Sequence, residues 1–206
     1  VPDPRSQPKL TICVYCSSKE EIDEAYKDLA GQVGTELARR GHALVWGGGR
    51  VSCMGAVARA ARQGGARTVG VIPKALSTEE LSDYEADELL VTETMRERKG
   101  EMDRRADAFL TLPGGLGTLE ELLEIWVSRS LGMHDKPLVV LDPDGFYEPL
   151  RQQVDALVER GFVSPGARDA IAWAKDVREA FDVLEREYAR HVHRVPSPEE
   201  VLEAEP

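Results

Sequence analysis

Residues 107–126 read DAFLTLPGGLGTLEELLEIW, and this stretch decides the fold. The run AFLTL at 108–112 is almost continuously apolar, which predicts a strand covered on both faces. Pro113 ends it, Gly114, Gly115 and Gly117 shape a loop of exposed N–H groups, and Thr118 brings a hydroxyl to the start of a helix. In that helix Leu119, Leu122, Leu123 and Trp126 recur at helical spacing and are expected to face the core. Glu121 then falls on the opposite side, flanked by Glu124. Glu120 lies nearer the edge of the apolar stripe, where favourable dipole electrostatics alone accounts for a carboxylate.

The same alternation repeats outward in both directions. Apolar runs at 10–15 (LTICVY), 43–46 (ALVW), 68–72 (TVGVI), 88–91 (ELLV), 137–141 (PLVVL) and, weaker, 170–173 (AIAW) read as further strands. Between them, Tyr26, Leu29, Ala30, Val33 and Leu37 mark a helix closed by Gly41, and Leu150, Val154, Leu157 and Val158 mark one closed by Gly161. Asp176 and Glu179 sit at N-cap and N3 spacing before Val177, Ala180, Phe181, Leu184 and Tyr188. Strands that are apolar on both faces and separated by helices indicate a single-domain α/β fold: a Rossmann-like, doubly wound parallel sheet with helices on both faces. The domain is expected at 9–192, with a flexible proline-rich segment at 1–8 and a flexible acidic tail at 193–206. In such folds ligands bind outside the carboxyl ends of the strands.

Lys and Arg number 26 against 37 Asp and Glu, a formal net charge of −11 that repels nucleic-acid polymers. A small phosphorylated metabolite is compatible with that field where cations cluster locally. Cys13, Cys16 and Cys53 are too few for a disulfide framework, which favours a reducing, cytoplasmic setting. Cys13 and Cys16 lie three apart at a strand, on opposite faces, so their C-x-x-C spacing does not suit a shared metal. No run approaches the roughly 18–20 apolar residues of a membrane span.

Two other segments carry chemistry. Gly47, Gly48 and Gly49 follow a strand in GGGRVSCMG, and a helix beginning near Ser52 offers its positive end to a ligand. The run lacks the third glycine of a dinucleotide fingerprint and the next strand ends without an acid; a tight turn without a ligand also accounts for it. In TMRERKGEMDRRAD (94–107), Thr94 and Glu97 form a capping box, placing Arg98 and Lys99 at a helix start, where cations oppose the dipole. An anionic ligand explains that placement, and so does a buried ion pair or a partner-subunit contact. Arg104 and Arg105 are expected to be solvated or paired with Glu101 or Asp103. His42, His134, His191 and His193 show no metal-ligand spacing, and neither a Walker loop nor a nucleophile elbow is present. An arginine, a glutamate and backbone N–H groups are left as the candidate machinery.

MRERK (95–99) together with PGGLGTLEE (113–121) resembles the LONELY GUY (LOG) family, the cytokinin riboside 5′-monophosphate phosphoribohydrolases, and most closely its actinobacterial members. The resemblance extends over about residues 11 to 185. It implies a Rossmann-like fold, hydrolysis of the N-glycosidic bond of a nucleoside 5′-monophosphate, no cofactor or metal, and a homodimer with the active site near the interface. It also implies that Arg98 and Glu121 are catalytic. Implied substrate contacts are Ser18, Gly48, Gly49, Met54, Glu80, Met95 and Lys99, together with Gly114, Gly115, Leu116, Gly117, Thr118, Leu119 and Glu120. Arg96 stands where the family commonly has histidine, Ser17 and Ser52 where it has glycine, and Val127 where several members have a threonine near the base. These departures leave the choice of base open. A nucleotide-binding regulatory protein of the same fold without turnover is the alternative reading; a ribosyl transferase and a lysine decarboxylase fit the residues less well.

Overall fold

The computed structural model describes residues 9–79 and 81–192; the segments 1–8 and 193–206, and Glu80, lie outside the described residues. All seven expected strands form: β1 (Thr11–Tyr15), β2 (Ala43–Trp46), β3 (Thr68–Pro73), β4 (Glu88–Thr92), β5 (Ala108–Thr111), β6 (Leu138–Leu141) and β7 (Ala172–Ala174). They make one parallel sheet in the order β4-β3-β2-β1-β5-β6-β7. The helices are α1 (Glu24–Arg39), α2 (Ser52–Gln63), α3 (Met95–Arg105), α4 (Leu116–Ser130), α5 (Glu148–Glu159), the single turn α6 (Pro165–Arg168) and α7 (Val177–Val192).

Alternate strand residues build two cores. Ile12, Val14, Leu44, Trp46 and Leu110 pack against Val33 and Leu37 of α1, Val57 of α2 and Phe181 of α7. Cys13, Tyr15, Val45, Val71 and Phe109 pack on the other face against Met102 of α3, Leu122 and Trp126 of α4 and Val154 of α5. The sheet is therefore doubly wound, and its central strands are apolar throughout because both sides are covered. The expected caps are present: Gly41 and Gly161 take φ of +78°, and Glu179 N–H donates to Asp176 at 2.8 Å. His42 is structural. Its Nδ1 accepts from Leu10 N–H at 3.2 Å, which leaves Nε2–H facing Glu185 at 3.0 Å.

The strand order reverses between β1 and β5, so the loops after these two strands part and open a crevice at their carboxyl ends. One expectation about the helix beside that crevice is corrected. α4 begins at Leu116, two residues before Thr118, and its buried stripe is Thr118, Glu121, Leu122, Ile125 and Trp126. Leu123 is exposed, Leu119 only half-buried, and Glu121 points into the protein. The actual stripe follows Ile125 and Trp126, and it tolerates a carboxylate because a cation from α3 meets it there.

Candidate active site

A cavity of about 360 Å³ opens at the reversal point. Loops after β1, β2, β3 and β5 converge on it, and the starts of α3 and α4 form its floor. α3 is fixed by a complete capping box, in which Glu97 N–H donates to Thr94 Oγ1 at 3.1 Å and Thr94 N–H donates back to Glu97 Oε2 at 3.3 Å. That box sets the direction in which Arg98, one residue further on, leaves the helix. Its Nε donates to Val71 O at 3.1 Å and its Nη1 to Glu121 Oε1 at 2.6 Å. Both side chains are about 6% exposed, so the ion pair is buried, at the wall of the cavity.

Burial pushes the Glu121 carboxyl above its ordinary value, while the charge and hydrogen bond of Arg98 oppose that rise. Arg98 thus serves the ionised form of a carboxylate that its surroundings otherwise disfavour. Cys13 and Cys16, pushed well up chiefly by burial, remain thiols.

The glycines next to the pair make room for it. A methyl group on Gly47 would lie 2.1 Å from Arg98 Nη2, and one on Gly114 would lie 2.2 Å from Thr118 Oγ1. Gly48 holds φ at +71°, which turns the chain back over β3. The glycine run after β2 is therefore a steric requirement of the arginine as well as a turn. Ser52 adopts a left-handed φ of +51°, a conformation suited to the glycine common in the family at this position, and its hydroxyl donates to Lys19 O at 2.6 Å.

At the start of α4 the N-cap is Gly115, so no side chain caps the helix. Its first N–H groups have no intrahelical acceptor and carry the positive end of the dipole. Gly115, Gly117 and Thr118 line the cavity beside Arg98 and Glu121. A helix start of this kind can hold an anion, and a buried carboxylate stands next to it.

Of the other expected contacts, Ser18, Gly49, Met54, Met95 and Glu120 also line the cavity. Gly48, against Val71 and Ile72, and Gly114, against Thr118, are not among the cavity residues; Leu116 is 86% exposed and Leu119 packs partly into the core. Lys99 turns across to α4 and pairs with Glu120 and Glu124. Val127 is half-exposed on α4 and is not among the cavity residues. Arg104 pairs with Glu101 at 2.6 Å, as expected. The sequence reading passed over Val71, whose carbonyl orients Arg98, and Tyr147, whose hydroxyl donates to Leu112 O at 2.8 Å behind the glycine loop. Neither has a local sequence signal. Among the described residues, no group of three or more His, Cys, Asp or Glu side chains is placed to hold a metal.

A family model described as "possible lysine decarboxylase" matches residues 54–184. The chain is 54% identical, over 79% of its length and 87% of the relative's, to a cytokinin riboside 5′-monophosphate phosphoribohydrolase of Mycobacterium marinum. It is 51% identical to the Mycobacterium tuberculosis protein of the same description (82% and 90% covered) and 44% identical to one from Arabidopsis thaliana (89% and 85% covered). Among solved structures, a molybdenum cofactor binding protein of Rippkaea orientalis superposes with a TM-score of 0.67 over 88% of this chain and 98% of that one. At 22% identity that likeness speaks to the fold alone. The matches over most of the chain at 44–54% identity show that the protein belongs to the LOG family, the family of the cytokinin riboside 5′-monophosphate phosphoribohydrolases.

Proposed function

We propose that the protein hydrolyses the N-glycosidic bond of cytokinin riboside 5′-monophosphates, and of AMP, to the free base and ribose 5-phosphate. The observation that carries this reading is the buried Arg98–Glu121 pair set beside the uncapped start of α4 in one cavity. The N–H groups at Gly115–Thr118 hold the 5′-phosphate, and binding energy from that remote group fixes the sugar over the carboxylate. As the C1′–N bond breaks, positive charge develops at C1′ and the ring oxygen, and the buried carboxylate of Glu121 stabilises it. Water adds at C1′ and gives up a proton to Glu121; the departing base takes a proton from solvent. Arg98 keeps Glu121 ionised and oriented through its bonds to Val71 O and Glu121. Lys99, engaged with Glu120 and Glu124, steadies the outer rim.

The assembly we propose is a homodimer, supported by the exposed apolar side chains Leu123 and Val127 on α4 and Leu131 at its C-cap. A reducing cytoplasm suits the three free, buried cysteines.

The test is a matched set of AMP, an N6-isoprenoid AMP and their nucleosides, with products separated by chromatography. Free base and ribose 5-phosphate are expected from the nucleotides, at rates unchanged by EDTA, and the nucleosides should react about 10²-fold more slowly or worse. Tight nucleotide binding without product would favour a regulatory protein, and release of CO2 from lysine would overturn the reading.

A further inference from the structure

The loop between β5 and α4 has few internal means of holding its shape. Pro113 has no N–H to donate, and Gly114 and Gly115 have no side chains. On the sheet side the last tie is Leu112 N–H to Tyr15 O at 2.9 Å; on the helix side the first is Leu119 N–H to Gly115 O at 3.0 Å. The gap is bridged from another element. Tyr147, the N-cap residue of α5, is 2% exposed; its hydroxyl donates to Leu112 O at 2.8 Å, and the Gly114 N–H faces the same phenol oxygen. One phenol thus reaches the backbone on both sides of Pro113.

The phenol is itself held firmly. The Tyr147 backbone N–H donates to the buried Asp142 carboxylate, with both oxygens at 3.3 Å, and Phe146 packs edge-on against the tyrosine ring with centroids 5.0 Å apart. Burial, with the nearby Asp142 charge, raises the hydroxyl well above the ordinary tyrosine range, so it stays protonated and keeps donating to Leu112 O.

We propose that Tyr147 is a positioning residue for the phosphate subsite, aiming the N–H groups at the start of α4 by clamping Leu112 and Gly114 from behind the loop. It touches no substrate. The proposal rests on the hydrolytic reading above, and it assigns the discrimination between nucleotide and nucleoside partly to a residue outside the cavity.

Tyr147→Phe in the full chain keeps the ring and its packing and removes only the hydroxyl. Loss of a hydrogen bond that orders the loop should raise KM for AMP about tenfold and weaken inhibition by orthophosphate to a similar extent. The kcat for AMP should fall by less than about threefold, because the phosphate once bound still holds the sugar over Glu121, and kcat/KM for adenosine should not change, because it has no phosphate for the cradle to aim. A general structural prop would lower both substrates alike; that result, or an unchanged KM for AMP, overturns the proposal. If the parent cleaves neither AMP nor an N6-isoprenoid AMP, the hydrolytic reading falls while orthophosphate binding by titration calorimetry still decides this one: about tenfold weaker binding in Tyr147→Phe supports it, and equal binding sinks it. If the variant does not fold, amide hydrogen exchange in the parent serves. Gly114 N–H should exchange more slowly than Gly117 N–H, and equal rates would overturn the clamp.

Discussion

Arg98→Ala should destabilise the fold in a pH-dependent way. Arg98 and Glu121 are 5% and 6% exposed and meet at 2.6 Å, so removal of the guanidinium strands a carboxylate that burial already disfavours. The folded variant can keep that charge unpaired, at about 3–5 kcal/mol, or take up a proton. Proton uptake at pH 7 by a group with an ordinary value of 4.5 costs about 3.4 kcal/mol, at about 1.36 kcal/mol per pH unit, so it caps the penalty. The sign follows from linkage. The folded-state pKa of Glu121 is raised further in the variant, so its penalty is full at high pH, shrinks as pH falls, and vanishes below 4.5, where the unfolded chain is protonated too. Urea unfolding of parent and variant should therefore show a stability gap about 2 kcal/mol wider at pH 7 than at pH 5. Adding Glu121→Gln to Arg98→Ala should recover most of the pH-dependent part. A gap that is flat with pH, or no recovery in the double variant, would refute the buried-pair argument.

Three further outcomes follow from the same geometry. On the proposed mechanism Glu121 acts ionised, and burial raises its carboxyl, so kcat/KM should fall as pH drops through a value above the ordinary 4.5; an acid limb at or below 4.5 in the pH–rate profile would count against it. Arg98→Lys should not restore the activity lost in Arg98→Ala, since one ammonium cannot reproduce the planar fork that reaches Val71 O and Glu121 together, and steady-state kinetics at saturating AMP would show this. Gly47→Ala should leave the fold intact by circular dichroism yet reduce kcat/KM at least tenfold, because its methyl would sit 2.1 Å from Arg98 Nη2 and push the guanidinium off Glu121.

The sheet was legible because β1, β5 and β6 are buried on both faces, which leaves short apolar runs that helix periodicity does not explain. The capping box at Thr94 and Glu97 was legible for the same local reason: both partners lie within one turn. The side-chain directions that make the site were not. Periodicity assigned Glu121 to the face away from the core, because an apolar count cannot register that Arg98, 23 residues earlier, supplies a buried counter-charge. Gly47 could be read as a ligand-approach glycine, whereas its steric partner is a side chain on α3. Tyr147 reaches a carbonyl 35 residues away, and nothing in DPDGFY announces it. What was missed is tertiary. Each missed residue acts on a distant segment, and the family resemblance named Arg98 and Glu121 without saying how they are held.

The central claim is that Glu121 drives hydrolysis at C1′ of a phosphate-anchored nucleotide. The most direct test follows N6-isoprenoid AMP with the parent and with Glu121→Gln, measuring free base and ribose 5-phosphate together with nucleotide affinity. The parent should release the two products in equal amounts, and the variant should bind the nucleotide with similar affinity but turn it over about 10²-fold more slowly or worse. Comparable turnover by the variant, or release of nucleoside and orthophosphate by the parent, would contradict the account.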